Sequence, residues 1–144
     1  MKAVLSLTLL LVSMDGIAAD FSVTSTKAPR IIIAPYTPAI SMHRLRFSDY
    51  PLKAVMRSRL KGVSWNVTSF PDAINHTAEI CYQTTGVNDI ECDKITPGVN
   101  GYTERFNNLG FEYNTSIKIR HSVEGGATVI RPLGRDTVTF HLTY

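Results

Sequence analysis

A period of two limits this chain more than any other feature. From Asp136 to the last residue, Val138, Phe140, Leu142 and Tyr144 alternate with Thr137, Thr139, His141 and Thr143. Successive side chains on a strand point to opposite faces, so this spacing gives one apolar face and one polar face. The same parity recurs in Val63, Trp65 and Val67, in Ile80 and Tyr82, and in His43, Leu45 and Phe47. The longest run is Phe111, Tyr113, Thr115, Ile117 and Ile119. Turn residues separate these runs, as in Asp49-Tyr50-Pro51, Thr96-Pro97-Gly98, Asn107-Asn108-Leu109-Gly110 and Pro132-Leu133-Gly134. Gly125-Gly126 reads as a further turn. Short alternating runs with such punctuation predict an all-β, antiparallel sandwich or barrel. Only residues 52–60 also fit a helical stripe, through Leu52, Val55, Met56 and Leu60; their strand-like surroundings favour a strand.

The first residues belong to a different kind of segment. Lys2 precedes a run of about ten mostly apolar residues, and Gly16-Ile17-Ala18-Ala19 offers small residues for cleavage. The run is too short for a membrane span, which needs ~20 residues. Residues 1–19 therefore read as a secretory signal peptide, cut after Ala18 or Ala19, with no transmembrane segment in the mature chain. Export places Cys81 and Cys92 in an oxidising compartment, where such a pair predicts one disulfide. A hairpin with its loop at Thr85 to Asn88 would set Cys81 opposite Cys92, Tyr82 opposite Glu91 and Gln83 opposite Ile90. That register mixes polar and apolar faces. Either a bulge intervenes or the bridge ties a strand to a loop.

No residue set predicts catalysis. Ser64 lacks a flanking glycine elbow, and His121 and His141 read as polar-face residues. The four histidines lack ligand spacing, so no metal and no cofactor are expected. The net charge of +3 does not argue for nucleic acid. The one distinctive charge feature runs from His43 to Lys61, with six basic residues against Asp49 alone. On a strand Arg57, Arg59 and Lys61 share a side and would contact an anionic ligand, or else protect a sheet edge. Sequons at Asn66, Asn75 and Asn114 would carry glycans only in a eukaryotic secretory pathway.

The stretch Asp136-Thr137-Val138-Thr139, with its closing Leu142-Thr143-Tyr144, resembles the last strand of pilus subunits assembled by the chaperone–usher route. The layout is similar too: an export signal, an extended segment at 20–34, a β-rich body at 35–144 and one disulfide. The resemblance implies an immunoglobulin-like β-sandwich missing one strand, with Val138, Phe140, Leu142 and Tyr144 lining the vacant groove. It implies that a periplasmic chaperone, then another pilus subunit, fills that groove by strand addition at an outer-membrane usher. Phe21, Val23, Ile31 and Ile33 share a parity and are the candidates for a donor strand. On this resemblance the chain is a structural or adhesive fimbrial subunit, not an enzyme, passing through the periplasm to the cell surface. The other expectation is a self-contained secreted β-sandwich, a virulence factor that binds a host glycan or protein receptor.

Overall fold

The computed structural model describes residues 18–51, 57–85 and 88–144. Its strands are β1 (Asp20–Lys27), β2 (Ala39–Arg44), β3 (Arg59–Asn66), β4 (Ala73–Ile74), β5 (Thr77–Gln83), β6 (Glu91–Ile95), β7 (Asn100–Thr103), β8 (Ser116–Ser122), β9 (Gly125–Gly126) and β10 (Asp136–Thr143). One 3-10 turn, Phe47–Asp49, is the only helical element among the described residues. The signal-peptide expectation falls almost wholly outside those residues, and so do Leu52, Val55 and Met56 of the ambiguous stretch. No described helix is long and apolar enough to cross a membrane.

Two four-stranded antiparallel sheets run β1-β10-β3-β7 and β2-β8-β5-β6, with β4-β9 as a small third pair. Alternation decides the faces. Val138, Phe140 and Leu142 of β10 are fully buried, and Ile117 and Ile119 of β8 meet them in the main core. Each such side chain contributes roughly 1.5–3 kcal/mol on leaving water. A second, smaller core of Ile32, Ala39, Phe70, Val123 and Ile130 closes one end.

The position of β1 corrects one expectation. β10 is not beside a vacant groove. Its one edge pairs with β3, and its other pairs with β1 along all eight residues, from Asp20 opposite Thr143 to Lys27 opposite Asp136. Ala19 and Tyr144 extend this ladder with two backbone bonds of 3.1 Å. The expected missing strand is thus supplied by the chain's own N-terminal residues. Phe21 and Val23, proposed for donation, pack against the main core of the same molecule. Ile31 and Ile33 do not continue that strand; they lie past Pro29, exposed on either side of the Ile32–Ile130 bridge.

Two other expectations change for local reasons. The run from Phe111 starts as a turn, because Thr115 folds back onto Glu112: its amide donates to the Glu112 carbonyl and its Oγ1 accepts from the Glu112 amide, both at 3.0 Å. Strand pairing begins only at Ser116. Gly125-Gly126 is no free turn but pairs with Ala73 and Ile74. A Cβ on Gly126 would lie 2.2 Å from the Asp72 carbonyl oxygen, so the close approach requires glycine.

The cysteine question resolves without a bulge. Cys81 faces Cys92, and Tyr82 faces Glu91, in an uninterrupted β5–β6 ladder with a Cα–Cα distance of 4.0 Å at the bridge. The mixed faces are tolerated because β6 is the sheet edge. Glu91 and Asp93 reach the open lip there and pair with Arg105. Inward-pointing charge on an edge strand also discourages unwanted pairing. With both sulfurs in the disulfide, neither is a thiolate ligand. Replacing both cysteines by Ser is expected to cost about 3 kcal/mol, the chain-entropy value for so short a loop. Urea unfolding of the oxidised and doubly substituted proteins measures this, and equal midpoints would refute it.

Candidate functional sites

The basic row predicted on β3 divides in two. Arg57 and Arg59 line one open cleft of about 760 Å³ with Asn107, Asn108 and Phe111. Lys61 does not join them. Opposite His141 and Leu142 the β3 register slips, and Lys61 is the extra residue between Leu60 and Gly62. A bulge breaks strict alternation. Lys61 instead lines a second cleft of about 410 Å³ and donates to Asp20 Oδ2 at 2.7 Å. That bond raises the lysine pKa and lowers that of the carboxylate, so this charge is already paired.

The second cleft lies on the outer face of the first sheet. Tyr102 packs its ring onto Gly62, where any Cβ would come within 2.3 Å of the phenol oxygen. Beside it His141 Nε2 meets Ser64 Oγ at 2.9 Å. Further along, Thr24 meets Thr139 at 2.8 Å and Thr26 meets Thr137 at 3.0 Å. The alternate positions that bury Phe140 and Leu142 inside thus lay hydroxyls and imidazole outside.

The most organised polar assembly is buried between the sheets. Asp136 opens β10 in phase with Val138, and it is fully buried. Its Oδ2 accepts from Ser41 Oγ at 2.6 Å and from His121 Nε2 at 2.8 Å, while its Oδ1 accepts from the Thr68 amide at 2.9 Å. Each side-chain donor leads outward. His43 Nε2 is 3.1 Å from Ser41 Oγ, and His43 Nδ1 is 3.2 Å from Ser25 Oγ on β1. His76 Nε2 is 3.1 Å from His121 Nδ1, and the Phe70 amide reaches His76 Nδ1 at 3.4 Å. On one wire Phe70 donates to His76, His76 to His121 and His121 to Asp136; on the other Ser41 donates to Asp136 and His43 Nε2 to Ser41, while His43 Nδ1 faces both the Ser25 carbonyl at 3.0 Å and the Ser25 hydroxyl. This assignment follows from hydrogen-bond consistency. Two wires converge on one carboxylate and join both sheets, β1 included.

The residue types resemble a nucleophile relay, but the geometry does another job. Ser41 bonds the carboxylate directly, and Ser41, His43, His121 and Asp136 are at most 2 % exposed. A substrate would have to displace the core to reach them. Burial alone would raise the Asp136 pKa; the bonds from His121, Ser41 and Thr68 outweigh it and hold the carboxyl below its ordinary range. Burial lowers His43 to about 4, against the carbonyl of Ser25 and the charge of Asp136. Burial, then the neighbouring His121, lowers His76 to about 4.

These shifts set a pH dependence. A histidine whose folded pKa lies below its unfolded value of 6.5 contributes stability that is complete above pH 6.5 and is lost as pH falls toward the folded value. His43 alone is expected to remove about 3 kcal/mol between pH 7 and pH 4, at ~1.4 kcal/mol per pKa unit. His76 acts in the same direction. Urea titrations across this range measure the loss. A flat profile would show that neither ring stays neutral in the fold.

Sequence reasoning missed this assembly and placed His121 on a polar face. The signal was present in phase: Asp136 with Val138, His121 with Ile119, and His43 with Leu45 are polar residues on apolar parities. Near the disulfide, Glu79 pairs with Arg120, and Asp89 pairs with Lys118 and Arg120.

No protein-family model matches the chain, and no curated protein matches it. A solved structure described as FlhE superposes with a TM-score of 0.60 at 14 % identity, over 85 % of this chain and 96 % of that one. A structure described as the empty head of turnip yellow mosaic virus aligns with a TM-score of only 0.35 at 11 % identity, over 99 % of this chain and 88 % of that one. What the chain has in common with FlhE is therefore a fold.

Proposed function

We propose that this chain is an exported, self-contained binding module, an immunoglobulin-like sandwich that completes itself in cis. The observation that carries this reading is the eight-residue ladder of β1 on β10. A sheet whose C-terminal strand is paired on both edges offers no unfilled groove for a donor. Catalysis plays no part in the proposal. Its binding elements are open clefts on a rigid frame, and the Arg57–Arg59 cleft suits an acidic group on a glycan or receptor protein. Secretion and a role in virulence belong to the same proposal, through the leader at 1–19.

A second reading, the fimbrial subunit, is favoured by one specific observation. The strand beside β10 is the chain's own N-terminal segment, joined to β2 through Pro29, Pro35 and Pro38. Such a strand could leave and pair with a neighbouring subunit, with a chaperone and usher guarding the exchange. Size-exclusion chromatography of the chain from Asp20, expressed without any chaperone, separates the two. A cooperative, folded monomer is the expected result. Self-association relieved by a donor peptide would replace the first reading with the second.

A further inference from the structure

The smaller core carries an exposed cap that neither cleft uses. Ile32 and Ile130 exchange two backbone bonds of 2.9 Å, and both side chains are buried. Their chain neighbours Ile31, Ile33, Val129 and Arg131 are all exposed. Ile33 is 72 % exposed; Leu133, whose amide donates to Ser69 beside the core residue Phe70, and Tyr36 are 76 % and 79 % exposed. Tyr36 also holds a φ of 64°, a region that non-glycine residues rarely adopt, while its amide donates to the Val123 carbonyl. The backbone thus keeps an aromatic ring in water at a cost in strain. Exposed apolar residues on the loops around one small core mark a contact site.

Charge identifies the partner. Arg30, Arg131 and Arg135 form no ion pair among the described residues. Of the carboxylates beside the smaller core, Glu124 already accepts from Asn75 at 2.6 Å and Asp136 is buried in its own hydrogen bonds. The two clefts described above are lined by other residues. Exposed aliphatic side chains with unpaired arginines beside them in the chain suit a fluid apolar phase under a layer of phosphates.

We infer that this end of the sandwich docks onto a phospholipid bilayer bearing anionic headgroups. Ile33, Leu133 and Tyr36 enter the interface, and Arg30, Arg131 and Arg135 meet the phosphates. The inference rests on the self-contained reading, since it needs the cap on a stable monomer.

Co-sedimentation of the mature chain with vesicles tests it. Equimolar phosphatidylglycerol and phosphatidylcholine should carry the protein down, whereas phosphatidylcholine alone should not. Arg131→Gln should weaken binding about fivefold, the equivalent of about 1 kcal/mol for one basic residue at an anionic surface. Leu133→Ser should weaken it about tenfold, and Ile33→Ser the same, from lost apolar burial. All three positions are exposed, so the melting temperature should not move. Wild-type protein left in the supernatant with anionic vesicles overturns the inference, and so do variants that sediment like wild type. A cooperative monomer that ignores vesicles ends this inference alone and leaves the binding-module reading in place. A chain that aggregates without a donor removes both.

Discussion

Asp136→Ala should cost about 3–5 kcal/mol, because three buried donors lose one shared acceptor at about 1–3 kcal/mol each. Three donors converge on this carboxylate, from Ser41, His121 and the Thr68 backbone. Without it each is left buried and unpaired, and the gap has no water-exposed side through which to relax. Leaving a buried donor unsatisfied costs about 1–3 kcal/mol on its own. For a domain of this size the melting temperature should fall by about 10–20 °C. Asp136→Asn is the sharper control. Its single oxygen can face Ser41 and His121, but its amide group then meets the Thr68 N–H, donor against donor. Alternatively it serves Thr68 and fails the other two. Asn should therefore lose at least half of what Ala loses, although its shape is unchanged. Thermal and urea unfolding at pH 7 decide the matter. An Asn variant as stable as wild type would mean that the three-donor geometry is not what holds the sheets together.

Removal of residues 20–27 should abolish cooperative folding. The truncation strips one edge of β10 and uncovers the side of the core that Phe21 and Val23 protect. It also removes Ser25, whose carbonyl and hydroxyl both reach His43 Nδ1, at 3.0 Å and 3.2 Å. The loss takes most of the roughly 5–15 kcal/mol that holds a typical domain folded. The newly bare edge would carry unpaired backbone groups beside Val138, Phe140 and Leu142, a template for aggregation. Far-UV circular dichroism and size-exclusion chromatography should show an associating species without a sharp melt. Adding a peptide of residues 18–27 should restore a monomer-sized complex, because the ladder needs no covalent link to β2. A truncated chain that melts cooperatively alone would show that β1 decorates the fold instead of completing it.

These two effects mark where the sequence stops being informative. Strand identity was legible, because alternation is a local property: the parity of Val138, Phe140 and Leu142 can be read without knowing any neighbour. The disulfide was legible in the same way, but its register was not: the mixed faces of the counted hairpin pointed to a bulge or a strand-to-loop tie, and the structure shows neither. The expected row of Arg57, Arg59 and Lys61 failed at a single residue. A bulge depends on the partner strand, and nothing local to β3 announces it. The vacancy beside the C-terminal strand was a larger error of the same kind. β1 and β10 sit at opposite ends of the chain, and Thr24 meets Thr139 across 115 positions.

By itself the sequence determined that this protein would be antiparallel β, where the apolar parity of strands such as β10 would lie and which cysteines would join. Only the tertiary structure decided that the first strand closes the sheet beside the last, and that Ser41, His43, His121 and Asp136 share one buried centre. The reason is physical. Periodicity sets the direction in which a side chain points, but which side chain it meets there depends on strand order, and strand order is set by the packing of the whole core.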